Sequence, residues 1–89
     1  MPNITSAKKR MRQNDVRRVR NRTRRSRLRS SLRTLDEAID AGDLDVVRQC
    51  WQETQALLDR TAQVGVIHRN QAARKKARLQ RRIQQLASS

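Results

Sequence analysis

The sequence predicts an all-α fold: a three-helix bundle whose long, basic N-terminal helix projects beyond the other two. Three observations carry this. The composition favours helix, two glycines punctuate an otherwise unbroken chain, and the apolar residues between them recur at helical spacing. Among 89 residues there is no Phe or Tyr, and Thr nowhere alternates with Val or Ile, which removes the usual material of strands. The good helix formers Arg, Leu, Ala and Gln are abundant instead. The sole proline, Pro2, stands at the extreme N-terminus, so no interior position lacks the N–H that a helix needs. Gly42 and Gly65 each follow a helical apolar pattern, the place where a left-handed residue closes a helix.

In the first helix, Leu28, Leu32, Leu35 and Ile39 step by 4, 3 and 4 and form one core-facing seam. Backward from Leu28 no breaker occurs until about Ser6, yet the only sizeable apolar residues are Val19, Val16, Met11 and Ile4, too sparse to bury. A helix from about residue 6 to 41 is on the order of 50 Å long at 1.5 Å per residue, so its first half should project. Arg and Lys recur there at i, i+3 and i+4 with almost no acid. That half is therefore expected to fray in isolation and to become helical when phosphates neutralise it.

The second helix follows Gly42, with Leu44, Val47, Trp51, Thr54 and Leu58 stepping by 3, 4, 3 and 4 and with Cys50 and Leu57 widening the stripe. Asp43 or Asp45 can cap it and place negative charge at its positive end. After Gly65, Ala72, Lys76, Leu79, Ile83 and Leu86 step by 4, 3, 4 and 3, and Asn70 or His68 opens this third helix. Short connections favour antiparallel neighbours, which predicts an up-down-up bundle over roughly residues 28–88. The chain thus reads as a single domain over 1–89, with a basic helical arm over 1–27 and the bundle over 28–89.

Charge is sorted along this framework. Residues 1–33 hold thirteen Lys/Arg against Asp15 alone, residues 34–65 hold two Arg against seven acids, and residues 66–89 hold seven Lys/Arg and no acid, which together give the net +14. Blocks of like charge repel and disfavour a compact state, so two basic arms around an acidic middle imply an external polyanion. Eighteen of the twenty-two cations are Arg, whose planar fork grips phosphate bidentately and stacks on bases. Arg-rich composition also arises from a GC-rich genome, but the segregation of charge does not depend on it.

Other classes fit poorly. No run of eighteen apolar residues and no signal-peptide core is present, so neither a membrane span nor secretion is supported and the protein reads as cytosolic. The arm lacks Leu, Phe and Trp opposite its charges, against a membrane-active helix. One cysteine, Cys50, forms no internal disulfide, and His68 as the only histidine builds no zinc set, so no cofactor or metal is expected. Asp36 and Asp40 share a helix face, but without a cleft, a second base or a Gly-rich loop they suit a solvated face, or pairing with a neighbouring Arg, better than Mg²⁺ or acid–base chemistry. No catalytic constellation is present. Trp51 sits on the seam as a core anchor, and Cys50 is read as a small buried hydrophobe. His68 either caps the third helix or donates to phosphate.

RNA and DNA remain to be separated. A long basic helix cannot enter the narrow A-form major groove and would lie along backbones and minor grooves, reading shape. In DNA it could enter the major groove as a basic region leading into a zipper, but Gly42 halts the apolar seam after about two heptads, where a zipper needs three or four. A nucleoid-associated or other DNA-binding protein is the alternative reading.

The opening Asn3-Ile4-Thr5-Ser6-Ala7-Lys8-Lys9-Arg10, the Ala41-Gly42-Asp43 turn and the segment Gly65-Val66-Ile67-His68-Arg69-Asn70-Gln71-Ala72-Ala73-Arg74-Lys75-Lys76-Ala77-Arg78-Leu79 resemble the family of the bacterial small-subunit ribosomal protein twenty. The resemblance covers essentially the whole chain. It implies a three-helix bundle that binds 16S ribosomal RNA directly at the foot of the small subunit, as a monomer in the cytoplasmic ribosome, with an early role in assembly. It implies no small-molecule substrate.

Carried over position by position, the resemblance points to Ser6, Lys8, Lys9 and Arg10, and to His68, Arg69, Asn70, Arg74, Lys75 and Arg78, as RNA contacts. The arginine run adds Arg17, Arg18, Arg20, Arg22, Arg24, Arg25, Arg27 and Arg29, too dense for solubility alone. Arg12 and Asn21 on the same arm, and Lys76, Arg81 and Arg82 on the third helix, complete the expected surface. Val64 and Gln71 stand where the family usually has Lys, so phosphate contacts are not assigned there. The acidic middle helix resembles the family only in pattern, as a scaffold facing away from RNA.

Overall fold

The structure, a computed structural model, describes residues 2–88, with side chains from Ser6 onward. Met1 and Ser89, the ends of the expected single domain, and the side chain of Ile4 lie outside the described residues. Three helices occur in order, α1 over Pro2–Ala41, α2 over Leu44–Gln63 and α3 over Arg69–Ser88, with no strand among the described residues. The all-α bundle with a long first helix is thus as the sequence predicts. α1 begins at Pro2 rather than near Ser6, because proline is compatible with a first turn whose N–H groups have no intrahelical partner.

Both glycines end helices for the same physical reason. Gly42 has φ 77° and Gly65 φ 80°, a region where a Cβ crowds the following carbonyl, and no other described residue has positive φ. The Gly42 N–H donates to the carbonyls of Ala38 and Ile39, both at 3.1 Å. After α2, the Val66 N–H reaches the Thr61 carbonyl at 3.0 Å and the Gly65 N–H the Ala62 carbonyl at 3.0 Å, the paired bonds of a Schellman closure. Asp43 caps α2, its carboxylate accepting from the Val46 N–H at 3.4 Å, while Asp45 lies in the first turn.

Pairings across the turns set the helix directions. Ser31 and Thr54, 23 positions apart, place hydroxyls 2.7 Å from one another at equal distances either side of the Gly42–Asp43 turn, as an antiparallel α1–α2 hairpin requires. Asp59 and Lys76, 17 apart, meet at 3.0 Å across the Gly65 connection and set α3 antiparallel to α2. α2 is the central element, packing most broadly on α1, then on α3, while α1 and α3 touch along a narrow strip.

The core is built from the predicted seams. Leu28, Leu35, Ala38, Val47, Leu58 and Leu79 are buried together, with Leu32, Ile39, Leu57, Ile83 and Leu86 packed against them. Trp51 and Cys50 also pack on this cluster but are half-buried. Cys50 therefore lies at the edge of the core rather than inside it. With only a narrow α1–α3 contact, the bundle has no third wall thick enough to enclose residues on the flanks of the seam, and Trp is rarely enclosed fully by a small domain. Thr54 and Thr61 are the buried polar residues, and among the described residues every buried side-chain polar atom has a partner. Thr54 bonds to Ser31, and the Thr61 hydroxyl donates to the Leu57 carbonyl one turn back.

Candidate nucleic-acid interface

Burial divides α1 sharply. From Ser6 to Arg27 every side chain is exposed except Asn21 and Arg24, which are half-buried, and the first core residue is Leu28. The portion N-terminal to the core extends about 39 Å at 1.5 Å per residue. The molecule accordingly measures 68 × 21 × 14 Å, with a radius of gyration of 17.9 Å against about 12 Å for a compact chain of this length. Met11, Val16 and Val19 are exposed, at 66%, 47% and 63%, so these three apolar residues of the arm join no core.

At 100° per residue, the arm's cations surround its axis. Arg10, Arg17 and Arg24 fall on one side, Arg18 and Arg25 on a second, Arg12 and Lys8 on a third, and Arg20, Arg27 and Lys9 on a fourth. Arg22 and Arg29 fill the sector between the second and third. None of these cations takes part in an ion pair among the described residues. A helix charged on every side is suited to lie between polyanionic segments rather than on one.

α3 sorts its cations by direction. Ala72 and Leu79 are buried, so the row Arg74, Arg78 and Arg81, stepping by 4 and 3 on the opposite side, is exposed to solvent. The two flanks behave differently. On the α2 side, Lys76 occupies a seam position that the periodicity read as apolar. It is half-buried and carries its ammonium to Asp59 at 3.0 Å, its stem lying along the core edge. On the α1 side, Arg82 lies 2.6 Å from Asp36 and 3.7 Å from Asp40. The Asp36/Asp40 face is thus paired with an arginine from a neighbouring helix, and no cluster of three metal-ligating side chains occurs among the described residues. Lys75 and Arg78 line the same α1–α3 groove with Leu32 and Leu79.

At the start of α3, His68 accepts from the Asn70 N–H through Nδ1 at 3.1 Å, and its carbonyl accepts from the Gln71 and Ala72 N–H groups. His68 is therefore the cap. A ring whose Nδ1 accepts a hydrogen bond carries its proton on Nε2, so capping leaves one N–H free to donate to another acceptor. Arg69 and Asn70, both exposed, occupy the first turn, where the helix dipole favours a bound anion.

One cation escaped the reading of charge blocks. Arg60 lies in the acidic stretch, yet it lines a cleft with Arg24 and Arg27 of α1. Its signal was positional: folding α1 against α2 about the Gly42–Asp43 turn places residues 58–61 opposite 24–27. No helix among the described residues is long and apolar enough to cross a membrane.

The chain is 44% identical over 89 residues to a small ribosomal subunit protein bS20 of Rhodopirellula baltica, covering 100% of this chain and 99% of that one. It is 48% identical over 88 residues to the protein of the same name from Shewanella woodyi, covering 99% and 100%. The corresponding Mycobacterium protein, from strain JLS, is 48% identical over 79 residues, covering 89% and 92%. The family model described as ribosomal protein S20 matches residues 2–84. With three helices, a projecting cationic arm and relatives matched end to end, this chain belongs to the ribosomal protein S20 family.

Proposed function

We infer that this chain binds 16S ribosomal RNA directly and stabilises its fold during assembly of the small ribosomal subunit. The chain is a structural component of that subunit, at work in the cytoplasmic ribosome, and not an enzyme. The observation that carries the RNA reading is the arm: a helix about 39 Å long, with unpaired cations on all sides and no core to bury. Such an element is stable only where phosphates surround it, so protein and RNA fold together. A-form geometry supports the same conclusion, because a helix too wide for the major groove bridges backbones of separate RNA segments.

A division of labour follows. The arm residues from Ser6 to Arg29 and the outward row Arg74, Arg78 and Arg81, with His68, Arg69, Asn70 and Lys75 at the near end of α3, form two phosphate-binding surfaces. The bundle over 28–89 holds these surfaces at a set distance, so the whole chain acts as one unit. Lys76 and Arg82 contribute chiefly by locking α3 to α2 and α1.

The test is binding to small-subunit ribosomal RNA as salt is varied. A chain that neutralises six to ten phosphates has a slope of log K against log salt of about −5 to −9. Retention on small subunits through a high-salt wash supports the reading. Tighter binding to duplex DNA at matched salt refutes it in favour of a DNA-binding protein.

A further inference from the structure

Where α1 leaves the bundle, Arg24, Arg27 and Arg60 line a cleft of about 200 Å³ together with Leu57 and Thr61. Three guanidinium groups on two helices repel one another, and none of them is ion-paired with a carboxylate among the described residues. No carboxylate lines the cleft, and the carboxylates that form ion pairs do so elsewhere, Asp59 with Lys76 and Asp36 and Asp40 with Arg82. Arg24 is moreover half-buried, so part of its stem packs here and its head is less free to swing away than those of the arm arginines before it. Leu57 and the buried Thr61 form the remaining wall.

We propose that this cleft is a single phosphate-binding site, in which Arg24, Arg27 and Arg60 together hold one phosphodiester of the RNA backbone. The inference rests on the RNA reading above and adds a contact from the acidic helix, which otherwise faces away from RNA. Guanidinium groups lining one cleft suit a tetrahedral oxyanion because each fork supplies two parallel N–H donors. Pairing of α1 with α2 about the Gly42–Asp43 turn puts residues 24–27 opposite 58–61, which brings the three arginines to one cleft. A phosphate there also removes the repulsion among them, so its binding ties the base of the arm to the bundle.

The experiment measures salt-dependent binding of small-subunit ribosomal RNA by the full chain, by Arg60→Gln, by the triple variant Arg24→Gln/Arg27→Gln/Arg60→Gln, and by Arg10→Gln as a control on the far arm. Thermal melts of each free protein are recorded alongside. One shared phosphate predicts that the triple variant loses about one unit of salt slope, and that Arg60→Gln alone weakens binding. Melting temperatures of the free variants should be unchanged or higher, since repulsion has been relieved. A loss of about three units means three separate phosphates and overturns the site. An unchanged slope with a lowered melting temperature also overturns it, assigning the arginines to packing at the end of α2. Failure of the RNA reading itself registers differently, as absence of binding by the unaltered chain, and the site falls with it.

Discussion

Arg82 on α3 donates a hydrogen bond of 2.6 Å to Asp36 on α1, 46 positions earlier in the chain, and its second terminal nitrogen lies 3.7 Å from Asp40. One arginine thus separates two carboxylates that would otherwise repel one another at i and i+4. It does so between the two helices that touch least. A cation that composition alone groups with the other cations of α3 thus bridges two helices of the bundle.

Arg82→Gln should therefore lower stability, by up to about 1 kcal/mol given that the groups are half-exposed. Arg78→Gln, exposed and without a carboxylate partner among the described residues, should change stability by less than half as much. Urea titrations of the two free variants decide it. Equal losses would mean that the Asp36 pair contributes nothing.

The fully buried Thr54 hydroxyl and its Ser31 partner predict a non-additive pair. Thr54→Val should cost about 1–2 kcal/mol, because Ser31 is left half-buried without its partner. The double variant Ser31→Ala/Thr54→Val should recover most of that loss. A double-mutant cycle in urea reads the coupling, and simple additivity would show that the two hydroxyls do not depend on one another.

Gly65→Ala isolates backbone strain. A Cβ at this position meets no atom within 4 Å, so only the positive φ opposes it, and the cost should be about 1–2 kcal/mol. Gly42→Ala should behave alike, since its surroundings are equally open. A much larger loss of melting temperature at either position would point to a rearranged connection instead of local strain.

Coupled folding predicts that circular dichroism of the free protein shows less helix than α1, α2 and α3 contain, and that helicity rises when ribosomal RNA is added. Removing residues 1–27 should abolish most of that rise while leaving the bundle's thermal transition in place. Equal helicity with and without RNA would sink the coupled-folding account.

The two glycine turns, the seams and the two cationic regions were legible in the sequence because each depends on neighbours within a few positions. Only glycine adopts φ near 80° without strain, so Gly42 and Gly65 announce the turns wherever the rest of the chain goes. Leu28, Leu35, Val47, Leu58 and Leu79 recur at helical period because one side of each helix must leave water. The edge position of Cys50 was not legible, since periodicity reports which side of a helix faces inward and not how thick the opposing wall is. Nor did it foretell a lysine on the α3 seam reaching Asp59, since a flexible stem lets a charged head leave an apolar position.

Tertiary structure alone decided which cations remain free. Lys76 and Arg82 share their sequence neighbourhood and composition with Arg74, Arg78 and Arg81, yet the former two meet carboxylates on other helices and the latter three do not. Arg60, in the acidic stretch of the chain, joins Arg24 and Arg27 only when the hairpin closes. Net charge is a sum and survives any fold, whereas ion pairing falls off over a few ångströms. The partner class could therefore be read from the blocks of charge, while the placement of individual arginines waited on the packing of three helices.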